Sequence, residues 1–310
     1  CRGGGNVRLA LEIAIQRIHS KRPPGVSGER ITSKDNRWIK QFRAAFSGAG
    51  PAEGEPLALE GPKLVEEAVG AGLKIEALLV SESGQQAYDR ILLTARMSGH
   101  AELKTLHTTD KIFAAIAATE TPQGIAALVR CRDWSLEDIL RGPANSDGAF
   151  TGNAPLVVVL AGVQDPGNVG AIVRSAEAFG ATGVIATRGT ADPWAQKALR
   201  ASAGSALRLP ILRGMAAPMV LMQLRVAGVQ VLATASRASA ASRQSKDLRS
   251  PIAIFIGSEG AGLSDDILKA ADASISIPIS GQVDSLNAAV AAAVLLYEVA
   301  RQRQAESLIK

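Results

Sequence analysis

The spacing of apolar and polar positions from residue 56 onward alternates between two periods. Short runs rich in Val, Ile and Leu predict strands, and longer runs with apolar residues every three or four positions predict helices. The predicted strands are residues 75–80, 103–106, 124–130, 156–161, 183–187, 207–211, 229–235 and 252–257, and the predicted helices are residues 61–72, 85–97, 109–117, 171–179 and 194–203. Strands that alternate with helices indicate α/β units with mainly parallel sheets.

A turn-rich stretch divides this pattern into two domains. The sequence RGPANSDGAFTGNAP is rich in Gly, Pro, Asn and Ser and predicts a linker at residues 136–154. Residues 51–135 then form a small α/β domain, and residues 155–310 form a second one. Residues 1–50 read as a basic extension that is not part of a core.

The last apolar stretch, residues 277–298, has a polar centre. A short strand leads into a loop, and Ser285 and Asn287 start a long helix, because their side chains can accept hydrogen bonds from the first turn. The helix is apolar on every side, which predicts burial all round. Its Ala-rich surface fits an internal core helix and a contact with a second copy of the chain equally well.

Charge is concentrated at the start of the chain. Residues 1–50 hold ten basic and three acidic residues, a net +7, whereas the whole chain carries +5. This predicts contact with the phosphates of RNA through Arg30, Lys34, Arg37, Lys40 and Arg43. A solvated basic extension explains the same charges. Aromatic residues make up only 4% of the chain, which argues against binding of single strands by stacked rings.

Several other classes of protein are disfavoured. Cys1 and Cys131 are the only cysteines, and the three histidines stand in unrelated contexts, so we expect neither a disulfide framework nor a metal site. No run reaches 18 apolar residues, so we expect no membrane partner and a cytoplasmic location. Residues 7–22 alternate basic and apolar positions, and an organellar targeting helix is the alternative interpretation there. The chain does not begin with Met, so its numbering need not start at the translated N-terminus.

Polar residues concentrate after three predicted strands, at residues 165–174, 257–264 and 278–287. Ligands bind beyond the carboxyl ends of strands in open α/β sheets. The glycines after residue 256 have the spacing GxxGxG, which differs from the dinucleotide-binding GxGxxG, and no phosphate-binding Walker lysine is present. We place Asn168 in the loop and Arg174 in the helix that follows it.

These three segments carry a family resemblance. GNVGAIVRSAEAFGA (167–181), IFIGSEGAGLS (254–264) and IPISGQVDSLNAAVA (277–291) closely resemble, in order and separation, the three motifs of the SpoU/TrmH family of RNA ribose 2′-O-methyltransferases in the SPOUT superfamily. The earlier segments GPKLVEEAVGAG and TPQGIAALV are similar to the ribosomal-protein-like substrate-binding domain of these enzymes. The resemblance implies a C-terminal trefoil-knotted α/β domain, bound S-adenosylmethionine (SAM) and a homodimer with a shared active site.

The resemblance also implies a set of site residues. The catalytic positions it indicates are Asn168, Arg174, Glu259, Ser285 and Asn287. The cofactor-binding positions are Thr234, Ala235, Ser236, Gly257, Ser258, Glu259, Gly260, Ile277, Ile279 and Leu286. The chain departs from the family at Ala171, where polar residues are common, and at Ser258, where Asn is frequent.

The expected activity is SAM-dependent methylation of a ribose 2′-hydroxyl, without a metal. Because an arginine stays charged and is a poor base, we expect Arg174 to hold the target phosphate and polarise the hydroxyl. The basic segment and the ribosomal-protein-like domain favour large-subunit (23S-type) rRNA over the alternative, tRNA. A relative that binds RNA or SAM without turnover is the alternative of another class.

Overall fold

The computed structural model of the protein describes residues 28–47, 50–52, 54–97, 103–143, 154–235, 247–280 and 285–307. They form two sheets, each covered by helices. The N-terminal sheet has the order β1-β4-β3-β5-β2, and the C-terminal sheet has the order β11-β9-β10-β6-β7-β8. The predicted fold class, two α/β units with largely parallel sheets, is therefore observed.

The N-terminal domain contains five strands and four helices among the described residues. The strands are β1 (Gly28–Arg30), β2 (Leu57–Glu60), β3 (Lys74–Val80), β4 (Thr105–His107) and β5 (Ile125–Arg130), and the helices are α1 (Arg37–Ser47), α2 (Pro62–Gly70), α3 (Gln85–Met97) and α4 (Asp110–Ala114). β1, β4 and β3 run parallel, whereas β5 is antiparallel to both of its neighbours. The carboxyl ends of β1, β4 and β3 therefore meet at one edge.

The expectation that residues 1–50 lie outside a core is wrong for residues 28–47. β1 pairs with β4, and Ile39 and Phe42 on α1 are completely buried in the N-terminal core. These two residues lie three positions apart and therefore share one face of the helix, while the charged residues occupy the other. The excess of positive charge concealed this apolar stripe. Residues 1–27 lie outside the described residues.

The C-terminal domain is built on an all-parallel sheet. Its strands are β6 (Leu156–Ala161), β7 (Gly183–Ala186), β8 (Ile211–Arg213), β9 (Gln230–Thr234), β10 (Ile252–Gly257) and β11 (Ala273–Ile275). Its helices are α5 (Leu136–Arg141), α6 (Pro166–Ala178), α7 (Gln196–Ser202), α8 (Ala217–Val226), α9 (Asp265–Ala270) and α10 (Ala288–Ser307). The uninterrupted apolar strands β6 and β10 lie side by side in the centre, as expected for a sheet covered on both faces.

Four predicted boundaries differ from the structure. The predicted linker begins with α5, whose Ile139 is buried against the second sheet and whose start is capped by Ser135. α6 begins at Pro166 because Asp165 caps it, so Asn168 lies in the first helical turn and not in the loop. The strand predicted at 207–211 is β8, which starts where the prediction ended. The final strand, β11, ends before residue 277.

The two domains are joined by polar contacts as well as by apolar packing. Arg208 forms ion pairs with Glu177 of the C-terminal domain and with Glu67 on α2. The side-chain amide of Gln196 donates to the carbonyl of Ala58 at 2.8 Å. These contacts couple the face of α2 to the helices that carry the site described next.

Candidate active site

Three loops converge at the carboxyl edge of the C-terminal sheet, as the sequence predicts. α6 follows β6, the Glu259 loop follows β10, and the start of α10 lies against both. The Asn168 side-chain amide donates to Glu259 Oε1. Asn287 Nδ2 lies 3.1 Å from Asn168 Oδ1 and 3.4 Å from Glu259 Oε1. Residues from three separate segments of the chain therefore form one hydrogen-bonded cluster.

Asn287 connects this cluster to the start of α10. Its Oδ1 accepts from the backbone N–H of Ala289 at 2.9 Å and of Val290 at 3.3 Å, so Asn287 is the N-cap of the helix. Because the oxygen of the amide is used by the cap, its nitrogen is directed toward Glu259 and Asn168. The helix therefore fixes the orientation of a donor in the site.

Glu259 is carried by a tight turn that requires glycine. Ser258 and Gly262 exchange two backbone hydrogen bonds of 3.2 and 3.0 Å, which close the loop after β10. A Cβ atom on Gly257 would lie 2.3 Å from the Gly262 carbonyl carbon, so no larger residue fits there. Gly262 has a φ of +68°, a conformation that L-residues rarely adopt. The turn holds Glu259 at the edge of the sheet.

The start of α6 is fixed by its own cap. Asp165 accepts from the backbone N–H of Gly167 at 2.5 Å, and Lys197 Nζ lies 3.0 Å from the same carboxylate. The hydrogen bond from Lys197, followed by that from Gly167, lowers the pKa of Asp165. Its negative charge next to the N-terminus of the helix also interacts favourably with the helix dipole. The cap thus fixes the start of the first turn, which carries Asn168.

Arg174 is placed differently from the other predicted catalytic residues. It lies in the second half of α6, its side chain is exposed, and within the described ranges it has no ion pair or hydrogen bond. The neighbouring Glu177 on the same helix is engaged by Arg208. Arg174 therefore remains available to an anion from solution.

A cleft of about 520 Å³ lies beside the cluster, between the ends of β9, β10 and β11 and the start of α10. The predicted residues Ser285 and Leu286 line it, and Ser285 is not hydrogen-bonded to the Asn168–Glu259–Asn287 cluster. It is also lined by predicted cofactor-binding residues, namely Thr234, Ala235, Gly257, Ser258, Glu259, Gly260, Ile277 and Ile279. Ser236 lies outside the described residues. The assignment of these residues to a cofactor stays a prediction.

The sequence did not indicate one wall of this cleft. Ala288, Ala291 and Leu295 project from α10 into it at positions that share one helical face. A helix that is apolar on all sides gives no hint of which face meets a ligand. Ile256 and Ile275, at the ends of β10 and β11, complete the apolar lining. The spacing of the three α10 residues is the only signal that could have found them.

α10 is not buried all round, contrary to the prediction. Val290, Val294 and Tyr297 are 51%, 42% and 55% exposed and lie on one face of the helix. Tyr297 packs edge-on against Phe179 at the end of α6, with 6.0 Å between ring centroids. The uniformly apolar sequence of the helix therefore covers a core on one side and leaves an apolar strip on the other.

The predicted RNA-binding residues lie in the N-terminal domain, and none of them lines the cleft beside Glu259. Arg37, Lys40 and Arg43 are exposed on α1, and the Arg37 guanidinium lies 5.2 Å from the Trp38 ring centroid. Arg30 and Lys34 line a separate cleft. These five charged residues therefore all lie apart from the Asn168–Glu259–Asn287 cluster in the structure.

The described part of the chain holds neither a cluster of metal ligands nor a helix of membrane-spanning character. Within it, no three or more His, Cys, Asp or Glu side chains are grouped as a metal site would need. Likewise, none of the helices seen there combines the length and apolar character required to cross a membrane.

Comparison with known protein families matches both halves of the chain. Residues 155–297 match the SpoU rRNA methylase family, and residues 53–127 match the MRM3-like substrate-binding domain. The first match includes the whole Asn168–Glu259–Asn287 cluster. The second covers β2 to the first half of β5 but not β1 or α1.

Individual relatives extend the similarity to nearly the whole chain. The chain is 30% identical over 271 residues to the 23S rRNA (guanosine(2553)-2′-O)-methyltransferase RlmP of Bacillus subtilis, covering 87% of this chain and 99% of the relative. Its structure is similar to that of an AdoMet-bound rRNA methyltransferase from Sinorhizobium meliloti, with a TM-score of 0.72, 31% identity and coverage of 88% and 97% of the two chains.

The predicted RNA methyltransferase class and its two-domain α/β fold are thereby confirmed, while the trefoil knot stays a prediction. An uncharacterised tRNA/rRNA methyltransferase of Synechocystis is 33% identical over 281 residues, which cover 89% of this chain and 95% of the relative. The family match over residues 155–297 includes the hydrogen-bonded cluster at the sheet edge. The chain therefore belongs to the SpoU rRNA methylase family.

Proposed function

We propose that the protein transfers a methyl group from SAM to the ribose 2′-hydroxyl of a nucleotide in large-subunit rRNA. The observation that carries this proposal is the contact of Asn168, Glu259 and Asn287 at the mouth of the 520 Å³ cleft. The similarity to RlmP, which is named for 2′-O-methylation of 23S rRNA, supports rRNA over tRNA as the substrate. A bacterial rRNA would place the enzyme in the cytoplasm.

The residues of the cleft fit SAM. A Cβ atom on Gly260 would meet no atom within 4 Å, so the missing side chain leaves space open to a ligand. Ile256, Ile277 and Leu295 offer apolar surface for an adenine ring, and backbone groups of the Glu259 loop can reach its polar edge. Thr234 and Ser285 add hydroxyl groups at two borders of the cleft. When bound there, SAM supplies an activated methyl group on a positively charged sulfur.

The protein side chains have mainly to align the target ribose. An arginine is permanently charged and binds phosphate through a planar pair of N–H groups. Arg174, which is exposed and unpaired within the described ranges, is suited to hold the phosphate of the target nucleotide and to polarise its 2′-hydroxyl. The amide groups of Asn168 and Asn287 hold Glu259 in place at the edge of the sheet. Alignment of this kind accounts for a large share of the rate enhancement in group transfer.

The test of the proposed role of Arg174 is its replacement by lysine. Arg174→Lys keeps the charge but loses the planar fork, so we expect methyl transfer to fall by at least about tenfold, roughly the worth of one charge-assisted hydrogen bond. SAM affinity measured by calorimetry should stay unchanged. Near-normal transfer by the variant across pH 6–9 would contradict a requirement for the guanidinium geometry.

The substrate itself is tested by mapping modified nucleotides. A ribose 2′-O-methyl group blocks alkaline cleavage at that position. In a strain that lacks the gene, one alkali-resistant linkage of 23S rRNA should disappear, while those of tRNA remain. Loss of a tRNA signal with rRNA unchanged would contradict the choice of rRNA.

We also infer a homodimer, with contact through the apolar strip of α10. Val290, Val294 and Tyr297 present adjacent apolar side chains to solvent, and such strips commonly mark an interface. The strip begins three residues after Asn287, so a partner would lie beside the catalytic cluster. Sedimentation equilibrium should give twice the 32.1 kDa chain mass. A trefoil knot in the C-terminal domain belongs to the same proposal and rests on the family.

A further inference from the structure

The N-terminal domain contains a second cleft, of about 500 Å³, far along the chain from the catalytic cluster. It opens at the carboxyl ends of β1, β4 and β3, which lie side by side and run parallel. Its volume lies within the roughly 300–1,000 Å³ that is common for ligand sites. It shares no lining residue with the cleft beside Glu259.

The walls of this cleft are fixed by hydrogen bonds to the strand ends. Ile31, which is 1% exposed, donates its backbone N–H to the His107 carbonyl at 2.7 Å. The Thr108 hydroxyl donates to the Ile31 carbonyl at 3.1 Å, and the Thr108 N–H donates to Val80 at 2.9 Å. Residues 30–34 lie outside the range 53–127 matched by the substrate-binding domain family, so this segment adds a wall that the family match does not include.

Unpaired positive charge faces the cleft. Arg30, Lys34 and Lys111 line it, and within the ranges that the structure describes none of them forms an ion pair. Glu82 is the acidic residue in the lining, and Asp110 lies behind it. Three cations therefore oppose two carboxylates.

The carboxylate behind the cleft is already occupied. Asp110 accepts from the Ser81 hydroxyl at 2.5 Å, from the Ser83 N–H at 3.1 Å and from the Ser83 hydroxyl at 2.8 Å. Burial lowers the pKa of His107, so its imidazole adds no charge at neutral pH. Glu82 is thus the acidic residue among the lining side chains that faces the three cations, and it forms no ion pair with them in the described ranges.

These groups are suited to a singly charged ligand with hydroxyl groups. Lysine and arginine bind phosphate oxygens, and the side chains of Thr32 and Gln85 offer hydrogen bonds beside them. An RNA backbone carries one negative charge for each nucleotide and displays ribose hydroxyls. A compact multiply charged anion would be repelled by the two carboxylates.

We propose that this cleft binds a ribose-phosphate unit of the RNA backbone, with Arg30, Lys34 and Lys111 facing the phosphate. The proposal rests on the proposed function, because it takes the methylated RNA as the ligand. The cleft would hold a part of the RNA that is not the target nucleotide and would so contribute to the choice of substrate.

The test uses the variants Lys34→Ala and Lys111→Ala of the full chain, with Lys74→Ala as the matched control. Lys74 is an exposed lysine of the same domain at the opposite, amino end of β3. Binding to a 23S rRNA transcript is measured by filter retention between 50 and 300 mM salt. The dinucleotide adenylyl-(3′→5′)-adenosine, whose single phosphodiester carries one negative charge, serves as the small-ligand probe. Thermal unfolding checks that each variant is folded, and Lys111→Arg tests whether charge alone restores binding.

We expect each alanine variant to bind rRNA about 3- to 10-fold more weakly and to reduce the slope of log affinity against log salt by about 0.7–0.9. Lys74→Ala and Lys111→Arg should bind as the unchanged protein does. Unchanged rRNA affinity in both alanine variants would overturn the proposal. Loss of dinucleotide binding in the alanine variants with unchanged rRNA affinity would overturn RNA as the ligand.

The outcome can be separated from that of the proposed function. Methyl transfer to the same transcript is measured in parallel. Weakened rRNA binding by the alanine variants supports the cleft assignment, whatever the methyl-transfer result. Absence of methyl transfer by the unchanged protein would count against the proposed function alone. Normal transfer by the unchanged protein, with full rRNA affinity in both variants, would overturn the cleft assignment alone.

Discussion

Arg208 joins the substrate-binding domain to the helix that carries the candidate catalytic residues. Its Nε and Nη2 lie 2.7 and 2.8 Å from the two carboxylate oxygens of Glu177 in the last turn of α6, and its Nη1 donates to Glu67 on α2. Asn168 and Arg174 lie on the same α6. We therefore predict that Arg208 fixes the orientation of the N-terminal domain relative to the Asn168–Glu259–Asn287 cluster.

The expected magnitudes follow from the geometry and exposure of these groups. Hydrogen bonds to charged partners contribute about 1.5–3 kcal/mol, but the three side chains are 30–35% exposed and solvent screens them. Arg208→Ala should therefore lower the free energy of unfolding by about 1–2 kcal/mol at pH 7. Glu67→Gln cuts only the link between domains, worth about 0.5–1 kcal/mol, and should raise KM for rRNA about 2- to 5-fold.

The stabilisation by Arg208 should depend on pH in a defined direction. Burial alone raises the pKa of Glu177, but hydrogen bonds from Arg208 and Ser205 and the charge of Arg208 outweigh it, so the pKa is lowered. A carboxyl with a lowered folded pKa stabilises the fold above its unfolded pKa and loses this effect as pH falls through the folded value. The difference between the unchanged protein and Arg208→Ala should be full at pH 7 and shrink below about pH 4.

The assay combines urea unfolding with steady-state methyl transfer to rRNA. Glu66→Gln is the matched control, because Glu66 pairs with Arg90 within the N-terminal domain at 3.3 Å. In Glu67→Gln we expect a higher KM for rRNA with kcat and SAM affinity unchanged, because Gln196 still binds Ala58 across the interface. An equal rise in KM for Glu66→Gln, or no rise for Glu67→Gln and Arg208→Ala, would refute the reasoning.

Two further predictions concern the cleft beside Glu259 and the adjacent Asn168–Glu259–Asn287 cluster. Gly257→Ala should destabilise the fold by about 1–3 kcal/mol in thermal unfolding, since its Cβ would lie 2.3 Å from the Gly262 carbonyl carbon. Gly260→Ala meets no atom within 4 Å, so it should leave stability unchanged and weaken SAM binding in calorimetry. Equal stability losses in the two glycine variants would contradict this. Asn287→Ala should cost about 0.5–2 kcal/mol through the lost helix cap. Asn287→Asp should keep the cap but lose methyl transfer, because a carboxylate replaces the N–H donor that faces Glu259. Full methyl transfer by this variant would show that the amide nitrogen is not needed.

The sequence predicted the convergence of the three polar segments better than it predicted their surroundings. The convergence of Asn168, Glu259 and Asn287 followed from polar residues at strand ends, because parallel strands place their carboxyl ends at one edge. The roles assigned to these residues came from the family motifs. Local pattern and resemblance together were sufficient there because each motif is short and continuous in the chain.

The errors have physical causes. The start of α6 was placed five residues late, because Pro166 and Gly167 disfavour the interior of a helix but are tolerated in a capped first turn. α10 was expected to be buried on every side, since periodicity cannot assign faces when all of them are apolar. The contact between Arg208 and Glu67 joins residues 141 positions apart and leaves no local signal.

The most direct measurement of the central claim is transfer of tritium from methyl-labelled SAM to an unmodified 23S rRNA transcript, followed by mapping of the labelled nucleotide. We predict stoichiometric labelling of one ribose 2′-oxygen by the unchanged protein, resistance of that linkage to alkali, and a loss of labelling in Arg174→Ala with SAM binding retained. Label on a base, or no label on rRNA under conditions where the protein binds both SAM and the transcript, would contradict the claim.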